Sequence, residues 1–555
     1  MPHDDAVVCN AQLWLPARSG LTALAIRDGR ISALGSDEDI LARAGDGTER
    51  IDAGGAAVLP GFHDAHVHPV AGGLELLGCD LGDIHDREDY EQRIAGFAAS
   101  CSDAWIVGSG WFGDVFPGGF PDRTLLDRLV PDRPAVFTSH DHHCVWVNSR
   151  ALELAGIDER TPDPHAGYIE RDESGEATGM LFESAAELVT NLLPAIDERA
   201  VAEALLASQE HLLSLGVVGW HDALLGSALG IPDGLSAYLD ALADGSLRGR
   251  VSGSIWWPMG AGPDRLDEVL ARVEYARDRG FAVQSVKIMQ DGMCENCTAA
   301  LVDPYTGVHP QISGDSVIEP GDLADIVMRL DAAGLSVHFH GVGDRAVREC
   351  LDAVARARER NGAGRPHQIA HIDVIDPADL PRFRQLGVTA NLQPLWARDD
   401  QEILERKFPL IGPERARWHF AFGSLHAAGA HLAMGSDWPV TSPDPLWGLH
   451  TACTRTAPAA DVHALNAESR VPAQPNERLD IETALRAYTL GSAEISGNAT
   501  DTGSLEAGKL ADLVILTGPI DGEESFDRLR VARTILGGAT VYERPGASSS
   551  RQSHS

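Results

Sequence analysis

The sequence predicts a (β/α)8 TIM barrel carrying a small β-sandwich domain assembled from both chain ends. Three observations lead there. The middle of the chain alternates short apolar runs with helical segments, eight times over. Both ends read instead as short strands with tight turns. The ionisable residues of the middle collect at the C-terminal ends of the apolar runs, where a parallel barrel keeps its active site.

The N-terminal part of the sandwich covers residues 1–57. Within it, Leu21–Arg27 and Arg30–Leu34 flank Asp28-Gly29, a type I′ hairpin signal. The C-terminal part covers 501–544, where Leu510–Leu516 is a buried-strand run and Val531–Leu536 and Thr540–Tyr542 bracket Gly537-Gly538. Residues 545–555 are polar and Ser-rich and read as a disordered tail.

The barrel domain spans 58–500. Its eight runs are Val58–Pro69, Gly216–Asp222, Val251–Trp257, Val283–Met289, Leu335–His340, His367–His371, Val388–Gln393 and His431–Asp437. Between them lie segments of helical periodicity such as Leu323–Ala333, which ends at Gly334 as a helix terminus should. The first unit carries an insertion, about 79–212, rich in Trp, Gly and His.

A chain of 555 residues, 44% hydrophobic and 23% charged, has the composition of a soluble globular protein. Its net charge of −37, from 82 acidic and 45 basic side chains, argues against nucleic acid or an anionic membrane as partner. No run reaches the length of a membrane span, the acidic N-terminus shows no export signal, and eight scattered cysteines make no disulfide framework. The expected compartment is the cytoplasm and the expected partner a small-molecule substrate.

His66 and His68 close the first run with one residue between them, so both imidazoles project from one strand face. Lys287 lies near the end of the fourth run, His340 ends the fifth, His371 the sixth and Asp437 the eighth. Four histidines and an aspartate converging on one rim are a metal site by ligand type, for one or two divalent cations: zinc first, with iron, manganese or cobalt as alternatives. Lys287 as an ammonium cannot ligate. It is either carboxylated by carbon dioxide to a carbamate that bridges two cations, or paired with a carboxylate such as Asp291; spacing does not choose between them.

The stretch Pro60-Gly-Phe-His-Asp-Ala-His-Val-His68, Lys287 followed by Asp291-Gly292, His340-Gly-Val-Gly-Asp-Arg-Ala346, His371 and Gly435-Ser-Asp-Trp-Pro439 resemble the metal-dependent amidohydrolase superfamily, and within it the N-substituted formamide deformylase-like branch. Gln393-Pro394, Asn476–Leu479 and Gly503–Leu513 fit the same pattern, so the resemblance spans nearly the whole chain. It implies ligation by His66, His68, His340, His371 and Asp437, with Lys287 as a bridging carbamate in a binuclear centre. A homodimer is a further implication by analogy.

The chain departs from the pattern at Met293-Cys-Glu-Asn-Cys-Thr-Ala299. Its C-x-x-C lacks the second pair that a structural zinc needs, so Cys294 is assigned to the substrate pocket, with an accessory-ligand role as alternative. His143, in Ser139-His-Asp-His-His143, is either a polarising donor near the pocket or part of a surface loop. Trp111 and Phe112 either cover the substrate or pack in a core. Gln393 joins Trp111, His143 and Cys294 as a substrate-binding residue.

A cation held by such ligands lowers the pKa of a bound water from about 16 to about 7, and the resulting hydroxide attacks a carbonyl carbon. Asp437 as general base and acid takes the water's proton and delivers it to the leaving nitrogen. The expected activity is hydrolysis of a non-peptide amide, formamide, carbamate or cyclic amide. The rivals are an ester or lactone hydrolase or a mononuclear deaminase on the same scaffold, and a non-catalytic metal-binding regulatory protein.

Overall fold

Phe62–Val67 (β1), Val217–Leu225 (β2), Arg250–Trp256 (β3), Val283–Met289 (β4), Ser336–Gly341 (β5), His367–His371 (β6), Val388–Leu392 (β7) and His431–Met434 (β8) form one parallel sheet in sequence order. The computed structural model describes residues 3–14, 20–116, 119–140, 144–164, 167–228, 231–307, 311–464 and 466–546. Strands of a parallel barrel face the bore on one side and helices on the other. Accordingly every residue of β1, β2, β5, β6 and β7 is buried. Helices return the chain between strands; Pro320–Ala332, for example, starts with proline in its first turn and stops before Gly334, whose φ is +75°.

β1 and β8 meet through bonds from the residues that follow β8. Asp437 N donates to His66 O at 2.7 Å and His68 N to Trp438 O at 2.9 Å. The Asp64 carboxylate accepts from His66 N at 3.0 Å and from Ser436 N at 3.1 Å. These bonds close the ring and carry the chain across the barrel mouth.

The first apolar run is not one strand. Ala57–Pro60 pairs with Gln12–Leu13 and Leu513–Leu516, in a sheet completed by Val531–Leu536 and Ala539–Glu543, and only from Phe62 does the chain enter the barrel. Gly61 is the junction: its N–H donates to Asp512 O at 2.8 Å, and a Cβ there would overlap the Val218 side chain. A second sheet of Arg30–Gly35, Ala23–Arg27, Ala6–Cys9 and Glu49–Asp52 completes the sandwich. Val8, Leu24, Ile26 and Ile31 from one end pack with Leu505, Leu513 and Ile535 from the other. Asp28 and Gly29, at φ +51° and +72°, make the expected I′ turn.

Residues 70–207, with 460–462, form a second compact unit. Its six-stranded sheet runs Gly167–Arg171, Ala177–Glu183, Cys144–Val147, Ala135–Ser139, Ile106–Trp111, Cys79–Asp80 in space. Alternate residues fill two cores, Phe137, Trp146 and Met180 on one face and Val136, Val145 and Leu181 on the other. No described helix is long and apolar enough to cross a membrane. The expected tail lies, beyond Gly546, outside the described residues.

Gly61→Val places a branched side chain against Val218 and is expected to lower stability by about 1–3 kcal/mol. A chemical-denaturation midpoint equal to that of the wild type would show that the junction can open to admit it.

Candidate metal centre

The period of two along a strand places Asp64 and His66 in line on β1, with His68 one residue past its end, and His338 and His340 in line on β5. Lys287 sits on β4 in register with His338, His371 ends β6, and Asp437 follows β8. One ligand atom each of His66, His371 and Asp437 lies within 4.8 Å of the others, and all three residues are buried. His68 Nε2 is 3.1 Å and His66 Nε2 3.3 Å from the same Asp437 Oδ1. The His340 ring is centred 4.4 Å from that of His371, and Lys287 Nζ is 3.5 Å from His66 Nε2. All six residues named from the sequence as ligands therefore share one cluster.

His371 and Asp437 hold left-handed backbone, φ +78° and +57°, a region that costs a non-glycine residue about 1–3 kcal/mol. Hydrogen bonds over-determine both. Asp437 N is tied to His66 O, and His371 N donates to Gln393 Oε1 at 2.9 Å. Trp396 stacks on the His371 ring, at 5.3 Å and 14°.

Burial dominates the electrostatics. It holds His66 and His371 well below the ordinary imidazole range and takes His340 to about 3. All three are thus neutral, the form that ligates a cation. Burial pushes Asp437 up, but its hydrogen bond to His68 and the electrostatic pull of the surrounding histidines and Lys287 outweigh that, and its carboxyl falls below the usual range. Burial lowers Lys287 from 10.5 to about 7.

These residues fit a divalent cation on three counts. The donors are nitrogen and carboxylate oxygen, as zinc prefers. They converge on one point. Buried Nδ1 atoms of His68 and His371 have no hydrogen-bond partner among the described residues, as for rings with bonds still to make.

Several expectations are corrected. Asp291 does not pair with Lys287: its carboxylate accepts from Val342 N, Gly343 N and Ala300 N at 2.8–3.0 Å. The polar contact of Lys287 is with His66. Cys294 is fully buried among Ala299, Leu301, Tyr305, Val342 and Val374, and burial pushes its thiol far up, so it packs in an apolar cluster rather than lining an open pocket. Gln393 is spent on structure, its Oε1 on His371 N and its Nε2 donating to Asn391 Oδ1 at 3.1 Å. Trp111 is core: 2% exposed, with Nε1 donating to Phe137 O at 3.0 Å in its own unit. His143 lies outside the described residues. Sequence reasoning passed over Asp64 and His338, although each stands two residues before a named ligand and so on its face of the strand.

A model of the amidohydrolase family matches residues 49–542. The Arabidopsis thaliana protein LONG AFTER FAR-RED 3 is 33% identical, over 94% of this chain and 88% of its own. The N-substituted formamide deformylase of Arthrobacter pascens is 26% identical, over 98% and 99%. The crystal structure of an uncharacterized metal-dependent hydrolase from Pyrococcus furiosus superposes with a TM-score of 0.69 at 27% identity, over 92% of this chain and 98% of that one.

Gln393→Met leaves the buried His371 N–H without its acceptor. The expected cost is about 1–3 kcal/mol of stability, with a lower metal content by elemental analysis after equilibration at limiting metal. A second expectation concerns pH. The folded pKa of Lys287 is about 7 and its ordinary value 10.5, so between them the unfolded chain holds the extra proton. Stability of the metal-free protein therefore rises with pH across that window through this residue, and Lys287→Met loses the increment. The measurement is the stability difference between the two proteins, free of metal and carbon dioxide, at the two ends of the window; a constant difference would mean that Lys287 stays charged in the fold.

Proposed function

The chain belongs to the amidohydrolase family, metal-dependent hydrolases of carbon–nitrogen bonds, and on that premise we propose that it cleaves a non-peptide C–N bond of a small molecule, with N-substituted formamides and simple amides as the substrate class. The observation that carries this reading is the meeting of His66, His371 and Asp437 within 4.8 Å, with Asp437 shared by His68. His66, His68, His340, His371 and Asp437 would hold the cation, zinc being the first candidate. When bound, the cation supplies Lewis-acid activation of water and of the scissile carbonyl.

Asp437 moves the proton. Its carboxyl is ionised at neutral pH and accepts a proton from the attacking water; because the resulting acid is strong, it yields that proton readily to the departing nitrogen. His68 Nε2, 3.1 Å away, holds Oδ1 in place. The support from a named relative is the formamide deformylase, similar over nearly the full length of both chains.

Lys287 is read as the site of a carbamate. At about pH 7 burial leaves much of its amine neutral and nucleophilic. Attack on carbon dioxide forms an N–C bond, releases one proton and places an anion beside His66, where the amine has no carboxylate partner within 4 Å among the described residues.

The test is metal content per chain in wild type and Lys287→Met, with turnover on a panel of N-substituted formamides, amides and esters. About two metals in the wild type, falling in the variant, with turnover of C–N substrates that Asp437→Asn reduces by about 10²–10⁴-fold, is the expected result. One metal unchanged in the variant removes the carbamate. No metal, or turnover of esters alone, overturns the reading.

A further inference from the structure

The bore beneath the cluster is not filled as barrel bores usually are. Layers of branched apolar side chains are the rule there. Here His66 of β1, His221 of β2, Ser252 and Ser254 of β3, Ser285 of β4 and His338 of β5 lie together, each at most 1% exposed. Burying three imidazoles and three hydroxyls in place of hydrocarbon is costly unless every polar atom is matched.

The matching is continuous. His66 Nδ1 lies 3.0 Å from His338 Nε2. His338 Nδ1 lies 3.4 Å from Ser254 Oγ, which is 2.7 Å from Ser285 Oγ and 2.8 Å from His221 Nε2. His221 Nδ1 ends the path, 2.8 Å from Ser252 Oγ. The strand registers build this column by pairing His221 with Ser252 and Ser254 with Ser285 on adjacent strands.

A neutral imidazole has one donor nitrogen and one acceptor nitrogen, so the bond at Nδ1 decides what Nε2 can do. His66 Nε2 is the atom that faces Asp437 Oδ1, at 3.3 Å, and Lys287 Nζ, at 3.5 Å. For that atom to offer a lone pair, Nδ1 must carry the hydrogen and find an acceptor, and the atom waiting there is His338 Nε2. The rest of the column then falls into order. His338 Nδ1–H donates to Ser254 Oγ, Ser254 O–H to His221 Nε2, and His221 Nδ1–H to Ser252 Oγ, while Ser285 O–H donates to Ser254 Oγ.

We propose that His338, backed by Ser254 and His221, is a positioning residue for the metal centre: it accepts the Nδ1–H of His66, holding that ring in the tautomer and orientation that turn the Nε2 lone pair toward the cation. Ligating histidines are commonly oriented by a carboxylate or a carbonyl; here a neutral imidazole and a serine do that work inside a sealed bore. The inference rests on the metal-centre reading above.

The test is zinc affinity of the metal-free full chain, by competition with a chromophoric chelator, for wild type, His338→Phe and His338→Gln, with apo melting curves to confirm folding. The Phe variant keeps a planar ring but no acceptor and is expected to bind zinc about 10–100-fold more weakly; the Gln variant, which keeps a side-chain acceptor, regains at least half of that loss on a logarithmic scale. Nitrogen-15 histidine spectra of the zinc-loaded wild type should show His66 protonated at Nδ1. Wild-type affinity in the Phe variant, no recovery in the Gln variant, or a proton on His66 Nε2 would overturn the proposal and leave the metal centre standing. A wild type that binds no zinc would remove the metal-centre reading and this one with it. Should His338→Phe fail to fold, Ser254→Ala, which takes the acceptor from His338 Nδ1, is expected to weaken zinc binding several-fold, and unchanged affinity there is equally fatal.

Discussion

The Asp64 carboxylate bonds to His66 N and Ser436 N and so ties the first barrel strand to the residues after the last. Those residues form no regular ladder with β1, and this bridge works with the Asp437 N–His66 O and His68 N–Trp438 O bonds to close edges the sheet would otherwise leave open. The bridge also sets the chemistry: with Ser436 anchored, Asp437 N reaches His66 O, and the Asp437 side chain arrives between His66 and His68. Ring closure and the meeting of these side chains are one event, which explains why Asp437 carries left-handed backbone that nothing in its own identity favours.

Low polarity at the mouth then sorts the ionisable groups. The imidazoles are neutral because they are buried, and Asp437 stays anionic because its neighbours outweigh its burial. Two buried lysines show how far partners decide the outcome. Lys407 lies between Asp373, at 2.8 Å, and Glu295, at 2.6 Å; burial pulls its pKa down, the two carboxylates outweigh it, and the amine is raised and firmly charged. Lys287 has no such pair and is lowered toward neutrality. One lysine is an ionic tie between segments; the other is a buried amine lowered toward neutrality. Residue type alone does not separate them.

The side chains assigned wrongly share a cause. Cys294, Gln393 and Trp111 were placed near the chemistry by their position in a motif or by their polarity. Each proves to have its bonding or packing satisfied by neighbours far away in sequence: Cys294 by an apolar cluster running to Ala416, Gln393 by His371 N, Trp111 by Phe137 O. His338 shows the converse. It reads in sequence as one more polar residue in a strand, and only the bore brings it to His66 across the barrel.

The eight alternations, the hairpins at Asp28-Gly29 and Gly537-Gly538, and the histidines and Asp437 at strand ends were legible in the chain because each depends on local periodicity: two residues per strand repeat, 3.6 per helical turn, and glycine where φ must be positive. The fold class followed from that periodicity, and with the barrel's one-mouth rule so did the gathering of His66, His68, Lys287, His340, His371 and Asp437 at one rim; a ligand role for Lys287 came only from the family resemblance. What tertiary structure alone decided were the split of the first run at Gly61, the burial of Lys287 beside His66, the structural duties of Asp64 and Gln393, and the contact of His338 with His66. These depend on which atoms from distant strands come within about 3 Å of one another, and on how much water is left beside them. A linear sequence carries neither quantity; closure of the ring creates both.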